Sequence, residues 1–203
     1  MEIEAPPATK GRPREFCVDA ALAAALRVFW SKGYEGASMA DLTEAMGITK
    51  PSLYAAFGNK EALFNKALDL YEREKTDYMR AALDAPTARG VAERLMNGAL
   101  AMYSCPENPN GCLGVINSVA CGAEAECIRD AVVARSATAK RALLDRFARA
   151  KVEGDLPADL DPAGLAAFLT AMNQGMAVQA GAGATRAELE KLVETGLKLW
   201  PGR

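Results

Sequence analysis

The side chains that could carry out covalent chemistry in this chain are its five cysteines, because the sequence contains no histidine. Without an imidazole, a cysteine or serine nucleophile lacks its usual general base, and metal sites that need histidine are excluded too. The cysteines stand at positions 17, 105, 112, 121 and 127, and this spacing contains no CxxC pair. It indicates neither a structural zinc site nor a disulfide framework. We therefore predict no metal and no cofactor, and we expect the protein not to be an enzyme.

Cys112 is the cysteine whose position most favours reactivity. It follows a loop rich in proline, asparagine and glycine (105–111) and stands at the predicted N-terminus of a helix. The dipole of a helix stabilises a thiolate at that end. A cysteine is also a small apolar residue that packs well against a neighbouring helix. Both interpretations, a reactive thiol and a packing residue, stay open on the sequence alone.

The elements that must position these side chains are helices. Apolar residues recur at spacings of three and four, alanine is abundant, and no run alternates with the period of two that strands have. We therefore predict an all-α fold of about nine helices. Their approximate bounds are residues 19–32, 38–46, 49–57, 60–83, 87–104, 112–121, 124–153, 162–179 and 185–199.

Length, charge and hydropathy limit the class of protein further. The chain has 203 residues, half of them apolar and a quarter charged, which is enough to bury a core. Its apolar stretches are too short to span a bilayer, and the acidic N-terminus does not resemble a secretory signal. We expect a cytoplasmic protein with no membrane partner. The net charge is −2, so any contact with DNA must depend on a few well-placed cations.

Residues 38–57 have the pattern of a helix-turn-helix. Gly47 allows a tight turn between two short predicted helices, and Thr49 caps the second. The side chains that we expect to face the core are Met39, Leu42, Ala45, Ile48, Leu53 and Phe57. The side chains left on the outer face of the second helix are Lys50, Ser52, Tyr54 and Ala55. A short helix with such a face fits the major groove of B-form DNA.

The run from residue 16 to residue 64 resembles the DNA-binding region of the TetR family of bacterial repressors. The resemblance is carried by the segments 37–42, 46–54 and 57–64, and the stretch Gly11-Arg12-Pro13-Arg14 is similar to the N-terminal arm of that family. It implies a three-helix DNA-binding domain with its arm over residues 1–60. It also implies a helical ligand-binding and dimerisation domain over residues 61–203.

The resemblance further implies which side chains contact double-stranded DNA. Phosphate contacts are expected from Ser38, Thr43 and Lys60, groove contacts from Thr49, Lys50, Pro51, Ser52 and Tyr54, and arm contacts from Arg12 and Arg14. The chain departs from the family at one turn, where an aromatic pair and a histidine are replaced by Tyr54-Ala55-Ala56. Ala55 can contact a thymine methyl group but cannot donate a hydrogen bond to phosphate.

A function follows from the resemblance as an expectation. The chain is predicted to be a homodimeric repressor that pairs through helices eight and nine, binds a pseudo-palindromic operator and is released by a small-molecule effector. The pocket between helices four and seven is expected to be apolar, which suits a hydrophobic or aromatic inducer. The candidate lining residues are Leu68, Tyr71, Tyr78, Leu100, Tyr103, Cys112, Ile116, Met172 and Met176.

Two alternatives remain beside this prediction. The run Gly111-Cys112-Leu113 resembles one found in several regulators of this type, including some that sense electrophiles or oxidants through the cysteine. The regulator would then respond to a reactive molecule through Cys112. The other alternative is a helical enzyme or carrier that binds a small molecule and does not bind DNA.

Overall fold

The computed structural model describes residues 17–119, 122 and 125–201, and these residues form ten α-helices and no strand. In chain order the helices are α1 (Val18–Gly36), α2 (Met39–Met46), α3 (Lys50–Phe57), α4 (Lys60–Lys75), α5 (Asp77–Ala82), α6 (Ala88–Tyr103), α7 (Leu113–Val119), α8 (Glu126–Val152), α9 (Pro162–Gly181) and α10 (Arg186–Lys198). The predicted all-α architecture is confirmed. Predicted helices eight and nine are α9 and α10.

The count is ten rather than nine because the predicted fourth helix, 60–83, is divided in two. The backbone of Thr76 leaves the helical region at φ −117° and ψ 10°. Its hydroxyl donates to the carbonyl oxygen of Glu72 at 3.1 Å, a side-chain bond that competes with the regular helix ladder and bends helices. The prediction of one continuous helix was therefore wrong at this position.

The first helix is interrupted at Gly33, where we predicted its end. Gly33 has φ 71° and ψ 174°, a conformation that L side chains rarely adopt, and the chain makes one more turn before Ala37. Gly33 is buried against Ile116 and Asn117 of α7. The kink therefore places the end of α1 on the larger, C-terminal part of the chain.

An aromatic contact joins α1 to α4. The rings of Phe29 and Phe64 meet edge to face with centroids 5.1 Å apart, and those of Trp30 and Tyr71 do so at 4.8 Å. All four side chains are buried. Aromatic pairs of this geometry contribute about 1 kcal/mol each beyond the burial of their surface. The contact therefore fixes the direction of α4 as it leaves the N-terminal three helices.

The C-terminal part is a bundle in which α9 packs against α6, α8 and α10. Its core contains Met96, Phe147, Leu169 and Met176, all fully buried. Among the described residues, no helix combines the length and the apolar composition needed to cross a bilayer.

Gly98 on α6 provides space for the ring of Tyr78 on α5. A Cβ atom at position 98 would lie 2.3 Å from Cδ2 of Tyr78, closer than real carbon atoms approach. Glycine is normally the less stable choice inside a helix, by about 1 kcal/mol relative to alanine. Its presence is explained by the ring that it accommodates.

We therefore expect Gly98→Ala to lower the free energy of unfolding by about 1–3 kcal/mol, because the ring must move out of a packed position. In a Tyr78→Ala background the same substitution is expected to raise it, since only helix propensity remains. Urea denaturation of the four proteins measures both effects. A stabilising Gly98→Ala in the presence of Tyr78 would contradict this contact.

Candidate nucleic-acid interface

The segment from Ser38 to Gly58 forms a helix-turn-helix with a defined signal at each boundary. The hydroxyl of Ser38 accepts from the Asp41 backbone N–H while the Asp41 carboxylate accepts from the Ser38 N–H, a reciprocal capping box. Gly47 ends α2 in the left-handed conformation at φ 65°, and Thr49 caps α3 through the N–H of Ser52. The predicted boundaries of both helices are confirmed.

One face of α3 is buried and the opposite face is exposed. Leu53 and Phe57 anchor the helix in the core, at 0% and 3% exposure. Lys50, Pro51 and Tyr54 are exposed, and 46% of Tyr54 is accessible to solvent. The Lys50 ammonium lies 6.0 Å from the centroid of the Tyr54 ring. This face therefore presents one cation and one aromatic hydroxyl on a short rod.

The other residues predicted to contact DNA lie around this face, with different exposure. Ser38 and Thr49 are exposed, and Thr43 and Ser52 are half-buried. The Thr43 hydroxyl donates to the Met39 carbonyl at 2.9 Å, which leaves its oxygen free to accept but not to donate in this rotamer. Arg12 and Arg14 lie outside the described residues.

Lys60 begins α4 beside the end of α1. Its ammonium lies 4.5 Å above the ring of Tyr34. Burial lowers the pKa of Lys60, and the nearby Glu35 carboxylate opposes that effect. The side chain is half-buried and starts at a helix N-terminus, where free backbone N–H groups can bind phosphate.

One core position in this segment was predicted wrongly. Ala45 was expected to face the core and is exposed, whereas Met46 is buried. Helix α2 starts at Met39, so the buried stripe runs through Leu42 and then four residues on to Met46. Ala45 lies three residues after Leu42, and at that position its side chain points outward.

An ion pair ties α2 to α1. Lys32 of α1 donates to the Asp41 carboxylate at 2.6 Å. This bond, followed by the hydrogen bonds from Ser38, holds the pKa of Asp41 well below its usual range. The same carboxylate thus caps α2 and orients it against α1.

The residues predicted to line a ligand pocket lie among α4–α7 and α9, and several are core residues. Leu68, Tyr71, Leu100, Tyr103 and Met176 are buried, while Tyr78, Cys112, Ile116 and Met172 are half-buried. The Tyr71 hydroxyl donates to Cys112 Sγ at 3.2 Å, and the Tyr103 hydroxyl donates to Asn173 Oδ1 at 3.4 Å. Sequence reasoning missed Asn173, although an amide within the apolar stripe of α9 was a visible signal.

A cavity of about 520 Å³ lies beside Cys112, between α1, the loop before α7, and α9. Its lining residues are Ser31, Pro109, Asn110, Gly111, Cys112, Val115, Ile116, Ala177, Val178 and Gly181. Of the predicted pocket residues, this cavity contains Cys112 and Ile116. Within the described part of the chain, no group of three acidic or cysteine side chains is placed to hold a metal ion.

The wall of this cavity is hydrogen-bonded to the helix that supports the interface. Trp30 Nε1 donates to the Gly111 carbonyl at 3.1 Å, and the Tyr34 N–H donates to Asn117 Oδ1 at 2.8 Å. The first bond joins α1 to the loop before α7 that contains Cys112, and the second joins α1 to α7 itself. Asn117 is buried, and nothing in its local sequence distinguished it from other polar residues.

Comparison with known proteins gives consistent matches over most of the chain. Residues 21–67 match the bacterial regulatory proteins of the tetR family, and residues 92–195 match a tetracyclin repressor-like C-terminal domain. The HTH-type transcriptional repressor ComR of Escherichia coli (strain K12) is 35% identical over 196 residues, covering 95% of this chain and 93% of ComR. A cysteine mutant of the TetR family transcriptional regulator CifR, complexed with 26-bp double-strand operator DNA, matches with a TM-score of 0.88 and 44% identity, covering 94% of this chain and 100% of that chain.

The Lys32–Asp41 pair leads to a pH-dependent prediction. Because the folded pKa of Asp41 is lowered, its contribution to stability is present above the unfolded pKa of about 4 and is lost as the pH falls towards the folded value. Asp41→Asn should therefore be less stable than the wild type at pH 7, and the difference should shrink in acid. Urea unfolding between pH 7 and pH 2.5 measures this.

Glu44→Gln is the matched control, because Glu44 is exposed on the same helix and has no ion pair among the described residues. It should change stability little at any of these pH values. A constant difference between Asp41→Asn and the wild type across the range would contradict the role given to the ion pair.

Proposed function

The chain belongs to the TetR family of bacterial regulatory proteins, and from this membership we propose that it is a repressor that leaves its operator when a small molecule binds. The relatives that it matches are transcriptional regulators, in agreement with the prediction that it is not an enzyme. The observation that carries the proposal is the exposed face of α3, which is held from behind by Leu53 and Phe57. Such a protein acts in the cytoplasm, on chromosomal DNA.

The DNA contacts are proposed to divide by chemistry. Lys50 and Tyr54 read base edges in the major groove, because they stand on the first turns of α3 with their polar ends outward. The free N–H groups at the starts of α2, α3 and α4 receive phosphates, together with Lys60. The operator complex of CifR supports operator binding by this chain, since that protein has the same fold and 44% identity.

The exposed stripe of α9 is proposed to bind a second copy of the chain. Its members are the exposed residues Gly164, Phe168, Ala171 and Val178 and the half-buried Gly175. Phe168 and Val178 are 41% and 57% exposed, a costly arrangement for a monomer in water. Small residues between them allow two such helices to approach closely, and α10 completes the bundle of four helices. Two copies present two α3 helices, which suits a pseudo-palindromic operator.

The effector is proposed to act by favouring a conformation that does not bind DNA. The domain of residues 61–203 receives it, and the domain of residues 1–60 responds. The bonds from Trp30 to Gly111 and from Tyr34 to Asn117 supply the connection. A change in the Cys112 loop or in α7 therefore alters the position of α1 and of α4 packed on it. The effector must bind the DNA-incompetent state more tightly for this coupling to operate.

Substitutions on α3 test DNA recognition. We expect Tyr54→Ala to weaken binding about tenfold to duplexes that the wild type selects from a random library, because a groove contact is lost. Lys50→Ala should likewise weaken binding about tenfold, because a base contact is lost, and should change the slope of log affinity against log salt by less than one. Fluorescence anisotropy over a salt series measures both values.

Lys140→Ala is the control, since Lys140 is an exposed lysine in the middle of α8. It should leave affinity and salt slope as in the wild type. If Tyr54→Ala and Lys50→Ala behave like Lys140→Ala while the protein still selects DNA, another surface binds the DNA and the assignment of α3 fails.

A second candidate input is a reactive molecule sensed by Cys112. The supporting observation is that Cys112 lines the cavity and its sulfur accepts a hydrogen bond from Tyr71. The other described cysteines, Cys17, Cys105 and Cys127, do not line this cavity. An adduct at Cys112 would displace Tyr71, which packs on Trp30 of α1.

Treatment with N-ethylmaleimide tests this candidate. After treatment with the same concentration of reagent, the affinity of the wild type for its selected duplex should fall at least tenfold more than the affinity of Cys112→Ser. Cys17→Ser serves as the control, because Cys17 is exposed at the start of α1, and it should respond as the wild type does. An equal response in all three proteins, or none in any, would exclude Cys112 as the sensor.

A further inference from the structure

A group of buried tyrosine hydroxyls in the C-terminal part is explained neither by DNA binding nor by core packing. The hydroxyls of Tyr71, Tyr78 and Tyr103 lie near Cys112. Burial raises the pKa of all three phenols, and the charge that a Cys112 thiolate would carry adds to the effect. The three hydroxyls therefore remain protonated donors at physiological pH. The interior of a helical bundle is usually apolar, so this concentration of donors calls for an acceptor.

Within the described part of the chain, two of the three hydroxyls have an acceptor and the third does not. Tyr71 donates to Cys112 and Tyr103 donates to Asn173. The hydroxyl oxygen of Tyr78 is buried and makes no well-formed hydrogen bond within the described residues, although Asn173 and Tyr103 lie close enough to lower its pKa. A buried hydroxyl without an acceptor destabilises a protein, so its retention needs a reason.

The phenol group adjoins the cavity beside Cys112. Cys112 lines the cavity and also accepts from Tyr71. On α9, Ala177 and Gly181 line the cavity, and Asn173 lies one turn before Ala177 on the same face of that helix. The side chains that line the cavity include no charged group. The three phenols do not themselves line the cavity, so an occupant meets these uncharged walls first and reaches a hydroxyl donor only past Cys112.

We propose that this cavity and the phenol group together bind an uncharged, mostly apolar molecule whose carbonyl oxygen accepts a hydrogen bond from Tyr78. The proposal rests on the proposed function, since it names the class of effector that the same domain receives. A carboxylate fits less well, because no lysine or arginine lines the cavity to compensate its charge. A pure hydrocarbon fits less well too, because it leaves the Tyr78 hydroxyl without an acceptor.

A matched pair of small aromatic probes tests this assignment. Acetophenone and ethylbenzene have similar shapes and differ in the carbonyl oxygen. Isothermal titration calorimetry of the full chain without DNA should give an acetophenone affinity about fivefold weaker for Tyr78→Phe than for the wild type. Ethylbenzene should bind both proteins equally. Tyr34→Phe is the control, since Tyr34 packs on Phe64 outside the phenol group, and it should bind acetophenone as the wild type does.

A second measurement uses the free protein. If the Tyr78 hydroxyl has no acceptor there, Tyr78→Phe should raise the Tm, while Tyr103→Phe should lower it because it removes the bond to Asn173. A lower Tm for Tyr78→Phe would overturn the proposal. It would also be overturned if acetophenone failed to bind the wild type, or if Tyr78→Phe affected both probes alike.

These outcomes are separate from those that concern the proposed function. If the wild type selects no duplex from a random library, the assignment as a repressor fails while the calorimetric result for Tyr78 stands. If acetophenone binds through Tyr78 but does not release DNA, the site is supported and its role as the inducer site is contradicted.

Discussion

The packing of α1 against α4 is the interaction on which the rest of the structure depends. Phe29 and Trp30 on one helix meet Phe64 and Tyr71 on the other, and all four are buried. The N-terminus of α4 carries Lys60 beside α3, and its later turns carry Tyr71 beside Cys112. One rigid contact therefore relates the surface proposed to bind DNA to the cavity proposed to bind the effector.

This arrangement explains how a small change in the interior could affect a distant helix. The C-terminal half of α1 is also held by hydrogen bonds to Gly111 and Asn117, so α1 cannot move independently of α7 and the loop before it. A packed aromatic contact is displaced as a unit rather than deformed continuously. A molecule that moves Tyr71 or α7 would thus change the distance between the two α3 helices of the proposed dimer. That distance must match the spacing of the two half-sites in an operator.

Local sequence signals predicted much of the fold. Ser38, Thr49 and Asn59 cap their helices as expected, and Gly47 and Gly58 end them, because capping and left-handed turns depend on neighbouring residues. The break at Thr76 was not predicted, since a threonine in mid-helix is ordinary until its hydroxyl binds the preceding turn. Ala45 was predicted to face the core, which was wrong by one position. Helix α2 is short, so its few apolar residues do not determine which side of the helix faces the core.

The residues proposed to face DNA could be identified in the sequence because they belong to one continuous motif. The cavity could not, because its walls come from α1, from α7 and the loop before it, and from α9, which are distant in the chain. The same holds for Asn117 and Asn173, whose partners Tyr34 and Tyr103 lie 83 and 70 residues away. Long-range polar contacts of this kind depend on the packed structure and leave no periodic signal in the sequence.

The most direct test of the central claim is photocrosslinking with p-benzoylphenylalanine placed at Tyr54, Phe168 or Val152 in turn, in the presence of a selected duplex. The account predicts that the label at position 54 joins the protein to DNA and the label at position 168 joins it to a second copy. The label at position 152, where the native side chain is 89% exposed at the end of α8, should do neither. A protein that binds the duplex without any crosslink from position 54 would contradict the account.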